Sequence, residues 1–314
     1  MDRALARHLF LVVVASAIAL HARALEPPAK EGTMQRVLDD SKPSDWRALD
    51  PDNTLYVELA NGRVIIELAP AFAPAHVANI RELARRKYWD GLAILRSHDN
   101  YVVQWGDPEG GTPKARTLGK ARKQVPAEFA RDAAGVALRA VPDRDGWAAE
   151  TGFVQGFAVA RDPKEGKAWL THCYGSVGAG RDNAADSSNG TELYVVIGQS
   201  PRHLDRNITL VGRVISGMEI LSAIPRGTGA LGFFEKPEQR VAIKSIRLLA
   251  EVPAREQTSL EVLRTDTATW DALVESRRNR RDDWYLRPAG HINICNLPLP
   301  TRIPDAGNNA AKPT

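Results

Sequence analysis

The chain has 314 residues, 43% of them hydrophobic and 25% charged, and this composition excludes a collagen-like, low-complexity or multi-span membrane protein. Its length allows one large domain or two small ones around a real hydrophobic core. Lysine and arginine (42) nearly balance aspartate and glutamate (38), and the formal net charge of +4 gives no general reason to expect nucleic-acid binding.

The first 24 residues have the pattern of a secretory signal peptide. Arg3 and Arg7 precede an apolar stretch at 9–20, and residues 22–24 form an A-x-A cleavage site. The alternative is an anchoring helix, but a membrane span needs roughly 20 apolar residues and this stretch has about a dozen. We therefore expect cleavage after Ala24 and a mature chain that is periplasmic or secreted, with no membrane attachment.

The chain contains two cysteines, Cys173 and Cys295. In an exported protein they would meet an oxidising compartment, and an even number leaves none unpaired if they form a bridge. The sequence also allows two buried, inert thiols, which is how free cysteines usually behave. The pairing therefore stays open at this point.

The first predicted elements of the folded body are a hairpin and a helix, after an extended lead-in at residues 25–50. Leu55–Leu59 and Val64–Leu68 are β-rich runs on either side of an Asn-Gly turn, which is the strongest short signal of a hairpin. The segment 74–89 begins with proline and carries apolar residues at helical spacing, which predicts an amphipathic helix. These apolar residues are Val77, Ile80, Leu83 and Ala84.

Most of the remaining chain is predicted to form short strands. They fall at Leu92–Leu95, Tyr101–Trp105, Leu193–Ile197, Thr209–Val214 and Val241–Leu249, with short apolar segments at Phe153–Ala160 and Ala168–Tyr174. Residues 108–152 are predicted to be an excursion from the core, and 175–190 a loop of small residues. Residues 253–285 indicate one or two helices, and the last thirty residues are expected on the surface. Many short strands with one early helix predict a mainly β barrel or sandwich of roughly 200 residues with a helical tail.

Three strings of residues, in chain order, resemble the signature of the cyclophilin family. They are Tyr88-x-x-Gly91 followed by Arg96, Tyr101, Gln104, Gly106 and Asp107; Asn189-Gly190-Thr191-Glu192-Leu193-Tyr194; and Leu204-Asp205 with Val211-Gly212-Arg213-Val214-Ile215-Ser216-Gly217-Met218. The ordered set covers roughly residues 50–250 and is far more specific than any one string. The resemblance implies a mainly β chain with a cyclophilin-like closed β-barrel, an early flanking helix, long loop insertions and a helical C-terminal extension.

The residue patterns and the resemblance together divide the chain into four segments. They are the signal peptide at 1–24, the extended lead-in at 25–50, a cyclophilin-like domain at 51–250, and a C-terminal helical extension and tail at 251–314.

Cyclophilins are peptidyl-prolyl cis-trans isomerases, so the resemblance implies an enzyme that acts on Xaa-Pro bonds of exported proteins and assists their folding. Such an enzyme favours the twisted amide against a barrier of ∼18–20 kcal/mol, which requires no nucleophile, metal or cofactor. By resemblance, Arg96 donates toward the prolyl nitrogen and Gln104 bonds the substrate backbone. The implied substrate-binding residues are Tyr101, Val102, Gly180, Arg181, Glu192, Tyr194, His203, Leu204 and Ile208. The expected partners are proline-containing segments of unfolded or folding proteins, with no nucleic acid, and the chain is expected to be a monomer.

Several positions depart from the family pattern. Glu192 replaces a glutamine and puts a negative charge near Arg96, while His203 and Ile208 replace residues of the pocket rim. The segment 177–181 is a glycine-containing form of the family's loop that binds the residue before proline. The alternative function is therefore a cyclophilin-like module or chaperone that binds proline-containing peptides with little or no isomerase activity.

A second alternative is a hydrolase that uses histidines or paired carboxylates. The candidate histidines show no spacing typical of metal ligands, and they are His76, His98, His172 and His203. Glu58 and Glu67 each alternate with apolar residues on a predicted strand, which is the pattern of a solvated sheet face. We therefore expect neither a metal centre nor a catalytic carboxylate pair.

Overall fold

The computed structural model describes residues 31–304, so the predicted signal peptide at 1–24 lies outside the described residues. The helices are α1 (Met34–Asp39), α2 (Pro74–Arg85), α3 (Met218–Ser222) and α4 (Ala268–Arg278). The strands are β1 (Trp46–Ala48), β2 (Thr54–Leu59), β3 (Gly62–Leu68), β4 (Ala93–Ser97), β5 (Val102–Gly106), β6 (Arg131–Asp132), β7 (Arg139–Ala140), β8 (Glu150–Val154), β9 (Phe157–Asp162), β10 (Lys167–Leu170), β11 (Ser176–Ala179), β12 (Leu193–Val196), β13 (Leu210–Ser216), β14 (Val241–Ala242), β15 (Ser245–Leu248), β16 (Glu261–Leu263) and β17 (Thr301–Arg302). No helix among residues 31–304 is long and apolar enough to cross a membrane.

Nine strands form one antiparallel sheet in the order β14-β4-β5-β12-β11-β13-β3-β2-β15. Its two edge strands are consecutive in the chain and are joined by Ile243 and Lys244. Ile243 exchanges backbone hydrogen bonds with Gly91 and Leu92 on one side, while the Lys244 amide donates to Glu58 O on the other. The sheet therefore curls so that its two edges approach each other at this segment, which confirms the predicted mainly β, barrel-like fold.

The predicted hairpin and the predicted helix are both confirmed. Strands β2 and β3 pair from Thr54 to Leu59, and their inward side chains fill the barrel core. Helix α2 buries its apolar face against this core, but it ends at Arg85 rather than continuing to Trp89. The reason is a Schellman-type cap, in which Lys87 is left-handed (φ 56°) and the Tyr88 amide donates to Leu83 O.

A second antiparallel sheet, in the order β6-β10-β9-β8-β7, occupies residues 131–170. The excursion from the core predicted at 108–152 is therefore partly regular, because its second half contains β6, β7 and the start of β8. Its centre is a tight hairpin, β8 and β9, turning through Gln155 and Gly156 at positive φ. Strands β6 and β7 are only two residues long, so they carry too little periodicity to be predicted.

The chain termini of the described region pack together around a third sheet, β1-β16-β17. Residues predicted as an extended lead-in form α1 and β1, and α1 packs on α4. The tail expected on the surface also contributes buried side chains, Ile294 and Leu297. A disulfide joins Cys173 to Cys295 across 122 residues and lies in the apolar cluster that includes Trp270.

Candidate active site

A groove of about 620 Å³ crosses the outer surface of β4, β5 and β12 and the loop that follows β11. It brings together every predicted site residue except His203. These residues are Arg96, Tyr101, Val102, Gln104, Gly180, Arg181, Glu192, Tyr194, Leu204 and Ile208.

The guanidinium of Arg96, on β4, is held on three sides. Its Nε donates to Leu231 O (2.7 Å), one terminal nitrogen donates to Gln104 Oε1 (3.1 Å), and the other contacts His98 Nδ1 (3.0 Å). Because an arginine side chain can only donate, Nδ1 of His98 is the acceptor in this contact. Three of the five N–H donors of Arg96 are thus used, which leaves one hydrogen on each terminal nitrogen for a substrate.

The surroundings of Arg96 are apolar on the groove side. The rings of Tyr101 and Phe233 lie 5.5 and 5.4 Å from its guanidinium carbon. Burial lowers the pKa of Arg96 below its ordinary value. The side chain stays a cation, and a cation in partly dry surroundings acts more strongly on a nearby lone pair than it would in water.

Gln104 links Arg96 to Glu192. Its Oε1 accepts from Arg96, and its Nε2 donates to Glu192 Oε2 (2.8 Å). The glutamate therefore acts on the arginine through the intervening amide, and the two bonds together fix which way that amide points.

Glu192 lies partly buried where β12 begins. Burial is the main cause that raises the pKa of this carboxyl, and the nearby charges of Asp182 and Asp107 raise it further. Gly180 lies close to it, because a side chain at 180 would come within 3.3 Å of Glu192 Cβ and 3.5 Å of Gln104 Nε2. The backbone of this loop therefore approaches the hydrogen-bonded series directly.

An apolar pocket adjoins Arg96 and has the character needed to hold a pyrrolidine ring. Val102 and Tyr194 form its buried floor, with Tyr101 and Ile208 packed against them. Leu204 completes the lining from the turn that precedes β13.

Tyr194 reaches beyond the pocket with its hydroxyl. The phenol oxygen bonds to His172 Nε2 (2.9 Å), and His172 Nδ1 bonds to Asp205 (2.9 Å). A side chain at Gly178 would overlap the phenol, so the glycine in this strand makes room for the tyrosine. The predicted small-residue loop at 175–190 thus begins with a strand, β11, whose glycine is required by close approach.

Two predicted residues are placed differently from the others. Arg181 lines the rim, but its Nε donates to Asn207 O (2.8 Å) and its guanidinium covers the ring of Phe129. His203 faces a neighbouring pocket on the far side of the turn Arg202–Leu204. The catalytic and binding roles of all the predicted site residues, these two included, stay predictions.

The groove also contains residues that the sequence did not single out. Phe233 lines the groove, and an isolated bridge pairs it with Arg96; Leu231, from the same glycine-rich segment between α3 and β14, supplies the carbonyl that accepts from Arg96. The two phenylalanines that follow three closely spaced glycines are a weak sequence indication of a binding segment. The backbone carbonyl of Leu231 has no sequence indication at all. Among the described residues, no group of three or more histidines, cysteines and acids is arranged to hold a metal.

Comparisons with known proteins place these features in a family. The model of the family described as cyclophilin type peptidyl-prolyl cis-trans isomerase/CLD matches residues 54–248, more than half of the chain. A probable peptidyl-prolyl cis-trans isomerase of Brucella suis is 27% identical over 190 residues, which cover 58% of this chain and 76% of that protein. A peptidyl-prolyl cis-trans isomerase-like 1 of Gibberella zeae is 26% identical over 200 residues, with 63% and 95% covered.

Among solved structures, the cyclophilin AquaCyp293 from Hirschia baltica superposes with a TM-score of 0.65 at 26% identity. The match covers 86% of this chain and 97% of that structure, so it extends well beyond the residues that the family model matches. The chain belongs to the cyclophilin-type peptidyl-prolyl cis-trans isomerases, as a remote member of that family.

Proposed function

We propose that this isomerase acts on Xaa-Pro bonds of exported proteins and assists their folding in the periplasm or outside the cell. The observation that supports the reaction most directly is the arrangement of Arg96, with two N–H donors free beside an apolar pocket. Cis-trans isomerisation takes tens of seconds or more without a catalyst, which is slow enough to limit folding.

The reaction requires that one bond, the C–N bond before proline, lose its partial double-bond character for a moment. As the amide twists, the prolyl nitrogen loses conjugation and its lone pair becomes a hydrogen-bond acceptor. A donor from Arg96 stabilises that twisted state more than either planar isomer, and this difference is what lowers the barrier. The pocket of Tyr101, Val102 and Tyr194 holds the ring still, while Gln104 binds the substrate backbone and stays bonded to Arg96.

Two features support an exported setting. The first 24 residues have the charge, apolar stretch and cleavage site of a signal peptide. The disulfide between Cys173 and Cys295 is of the kind that persists in oxidising compartments. Cell fractionation and the intact mass of the exported chain test the location, and a cytoplasmic protein that retains residues 1–24 would contradict it.

Exchange NMR on a series of short Ala-Pro peptides tests the reaction with the protein purified from the exported fraction. We expect acceleration by the wild type and a loss of about 100-fold or more in Arg96→Ala, the order found when a preorganised donor is removed. Arg85→Ala is the matched control, because that arginine is exposed on α2 and pairs with Glu251.

Two results would contradict the proposal. Peptide resonances that shift on titration without acceleration would favour the binding module or chaperone. Equal activity in the Arg96→Ala and Arg85→Ala variants would show that the placed arginine does not act on the prolyl nitrogen.

The folding role has its own test. The refolding of an exported protein that is limited by a proline bond should be faster with the wild type than with Arg96→Ala. We also expect the wild type and Arg96→Ala to be monomers, which light scattering checks.

A further inference from the structure

A second pocket, of about 440 Å³, lies beside the active-site groove. The two share one short turn, Arg202–Leu204, in which Leu204 lines the groove and His203 lines the second pocket. The second pocket therefore lies on the other side of the turn that borders the groove.

The walls of this pocket include two tryptophans. Trp147, in the loop 145–149, is 57% exposed, whereas Trp169 on β10 is buried at 3%. The guanidinium of Arg206 lies 4.9 Å over the Trp169 ring. We call this the tryptophan pocket, defined by Trp147, Trp169, His203 and Arg206.

The loop that carries Trp147 is firmly anchored. Asp145 is buried and makes a bidentate ion pair with Arg202 (2.9 and 3.1 Å), and it also accepts from the Trp147 amide (2.8 Å). Two residues earlier, Asp143 makes a bidentate pair with Arg278 of α4 (2.7 and 2.9 Å). An exposed indole on a backbone held at two points is preorganised, so a partner would lose little free energy in ordering it.

The acidic and arginine side chains in the walls already have partners, and Asp162 accepts from the backbone amides of Lys164 and Glu165 (2.8 and 3.2 Å). Arg202 bonds to Asp145 and Asp205, and Arg206 bonds to Glu165 (2.6 Å). Because the Trp169 ring is buried under Arg206, these contacts leave the exposed indole of Trp147 as the main apolar feature that a ligand can recognise. Tryptophan is enriched at interfaces because it offers a large apolar area with few rotatable bonds.

We propose that the tryptophan pocket is a second subsite for the polypeptide whose proline lies in the groove, and that it takes a large apolar side chain, aromatic by preference. The proposal rests on the proposed function, since it extends the same substrate path. It gives the insertion at 108–175 and the C-terminal extension a shared role, because the first supplies Trp147 and the second, through Arg278, holds its loop.

An extended chain advances about 3.3 Å per residue, so the side chain concerned should lie a few residues from the proline. The test is a series of peptides with one Ala-Pro bond and one phenylalanine placed about two to about six residues from it, on either side. Affinity is measured by titration, and isomerisation of the phenylalanine-free parent peptide is measured in parallel.

At the best position, we expect phenylalanine to tighten binding to the wild type about fivefold to tenfold over alanine, as partial burial of an aromatic ring predicts. Trp147→Ala should lose this gain. Trp284→Ala should keep it, because Trp284 is also exposed (81%) but lies in the C-terminal segment and does not line the tryptophan pocket.

The outcomes separate the two proposals. No gain at any phenylalanine position, or a gain that survives in Trp147→Ala, would overturn the subsite even if the parent peptide is isomerised. A gain for glutamate or lysine in place of phenylalanine would overturn its apolar character. If the parent peptide is not isomerised but the gain is present, the subsite stands and the isomerase function fails.

Discussion

The side chains Arg96, Gln104 and Glu192 form a hydrogen-bonded series across the groove, and the order of the series matters. A carboxylate in direct contact with Arg96 would compete with the prolyl nitrogen for its donors. Because the amide of Gln104 stands between them, Glu192 orients the glutamine and acts on the arginine through that amide and through its own charge.

Replacing this charge should make the enzyme faster. Glutamine at 192 can still accept from Gln104, so Glu192→Gln removes the charge and keeps the bond. We expect kcat/KM for an Ala-Pro peptide to rise about twofold to fivefold, the order of effect of one charge several ångströms from the reacting atoms. Asp182→Asn is the matched control, because Asp182 is exposed at the same rim and makes no bond to Gln104. A slower Glu192→Gln variant would show that the carboxylate assists the reaction.

The same substitution predicts a pH-dependent change in stability. Burial raises the pKa of Glu192 in the folded state. The contribution of the protonated carboxyl to the free energy of unfolding is therefore fully present below the ordinary pKa of about 4.3, and it is lost as pH rises through the raised pKa. Urea unfolding should therefore find Glu192→Gln more stable than the wild type by about 0.5–1 kcal/mol at neutral pH, and equal to it in acid. A difference that does not change with pH would contradict this assignment.

The sequence predicted the residues of the groove well and their supports poorly. Arg96, Gln104 and Glu192 belong to short strings whose order along the chain is enough to identify them. The bond from Arg96 to Leu231 O spans 135 residues and involves a backbone atom, so no side-chain pattern records it. His172, which holds the Tyr194 hydroxyl, likewise lies outside the quoted strings.

At the scale of elements, Glu58 and Glu67 show how far a strand pattern can be trusted. Both alternate with apolar residues, which predicts a solvated face for each. Glu58 pairs with Arg63 at a partly exposed position, but Glu67 is buried and makes a bidentate pair with Arg47 (2.6 and 3.0 Å). The alternation predicted the strands correctly, but it could not show that the second sheet covers one of these faces.

The cluster around Glu67 connects β3 and β13 to the β8–β9 hairpin. Arg213 on β13 is partly buried, and burial lowers its pKa to about 10 although Glu67 acts in the opposite direction. Arg213 donates to Gly156 O, and Arg47 donates to Gln155 O (2.8 Å). Both arginines therefore hold the hairpin turn, and Glu67 pairs with Arg47 and offsets part of their combined charge.

Removing that carboxylate should be costly. Glu67→Gln leaves Arg47 and Arg213 without the nearby carboxylate, so we expect a loss of about 3–5 kcal/mol in the free energy of unfolding. Glu58→Gln is the matched control on the neighbouring strand and should lose less than about 1 kcal/mol, because its pair with Arg63 is partly exposed. Urea unfolding of both variants checks this, and equal losses would show that the cluster is not what holds the hairpin.

The elements that the sequence missed share a physical reason. Strands β6, β7 and β17 have two residues each, and α1 has six. Elements this short are stable only through tertiary packing, so their own sequences carry almost no periodicity. Strand β1 pairs with β16 from Trp46 to Leu263, a partner more than 200 residues away that no local pattern could indicate.

For the molecule as a whole, the disulfide is the covalent tie between the barrel and the C-terminal extension. Cys173 lies between β10 and β11, three residues before a central barrel strand, and Cys295 lies beyond α4. Neither cysteine lines the active-site groove. The disulfide should therefore act on stability and leave the chemistry of the groove alone.

Removing the disulfide should lower the stability of the protein and leave its isomerase activity nearly unchanged. The bridge closes a loop across 122 residues of sequence, so its loss should lower the free energy of unfolding by about 3–5 kcal/mol, mainly by freeing the unfolded chain. Urea unfolding of the wild type, with and without a reducing agent, and of the double variant Cys173→Ser with Cys295→Ser checks this, and the reducing agent should not change the double variant. Below its unfolding transition the double variant should isomerise an Ala-Pro peptide within about twofold of the wild-type rate, because the hydrogen bond between His172 and Tyr194 does not involve either sulfur.

Two thiols that alkylate in the native, unreduced protein would show that the bridge does not form. A large loss of activity at full folding would show that the bridge reaches the groove through the backbone between Cys173 and His172.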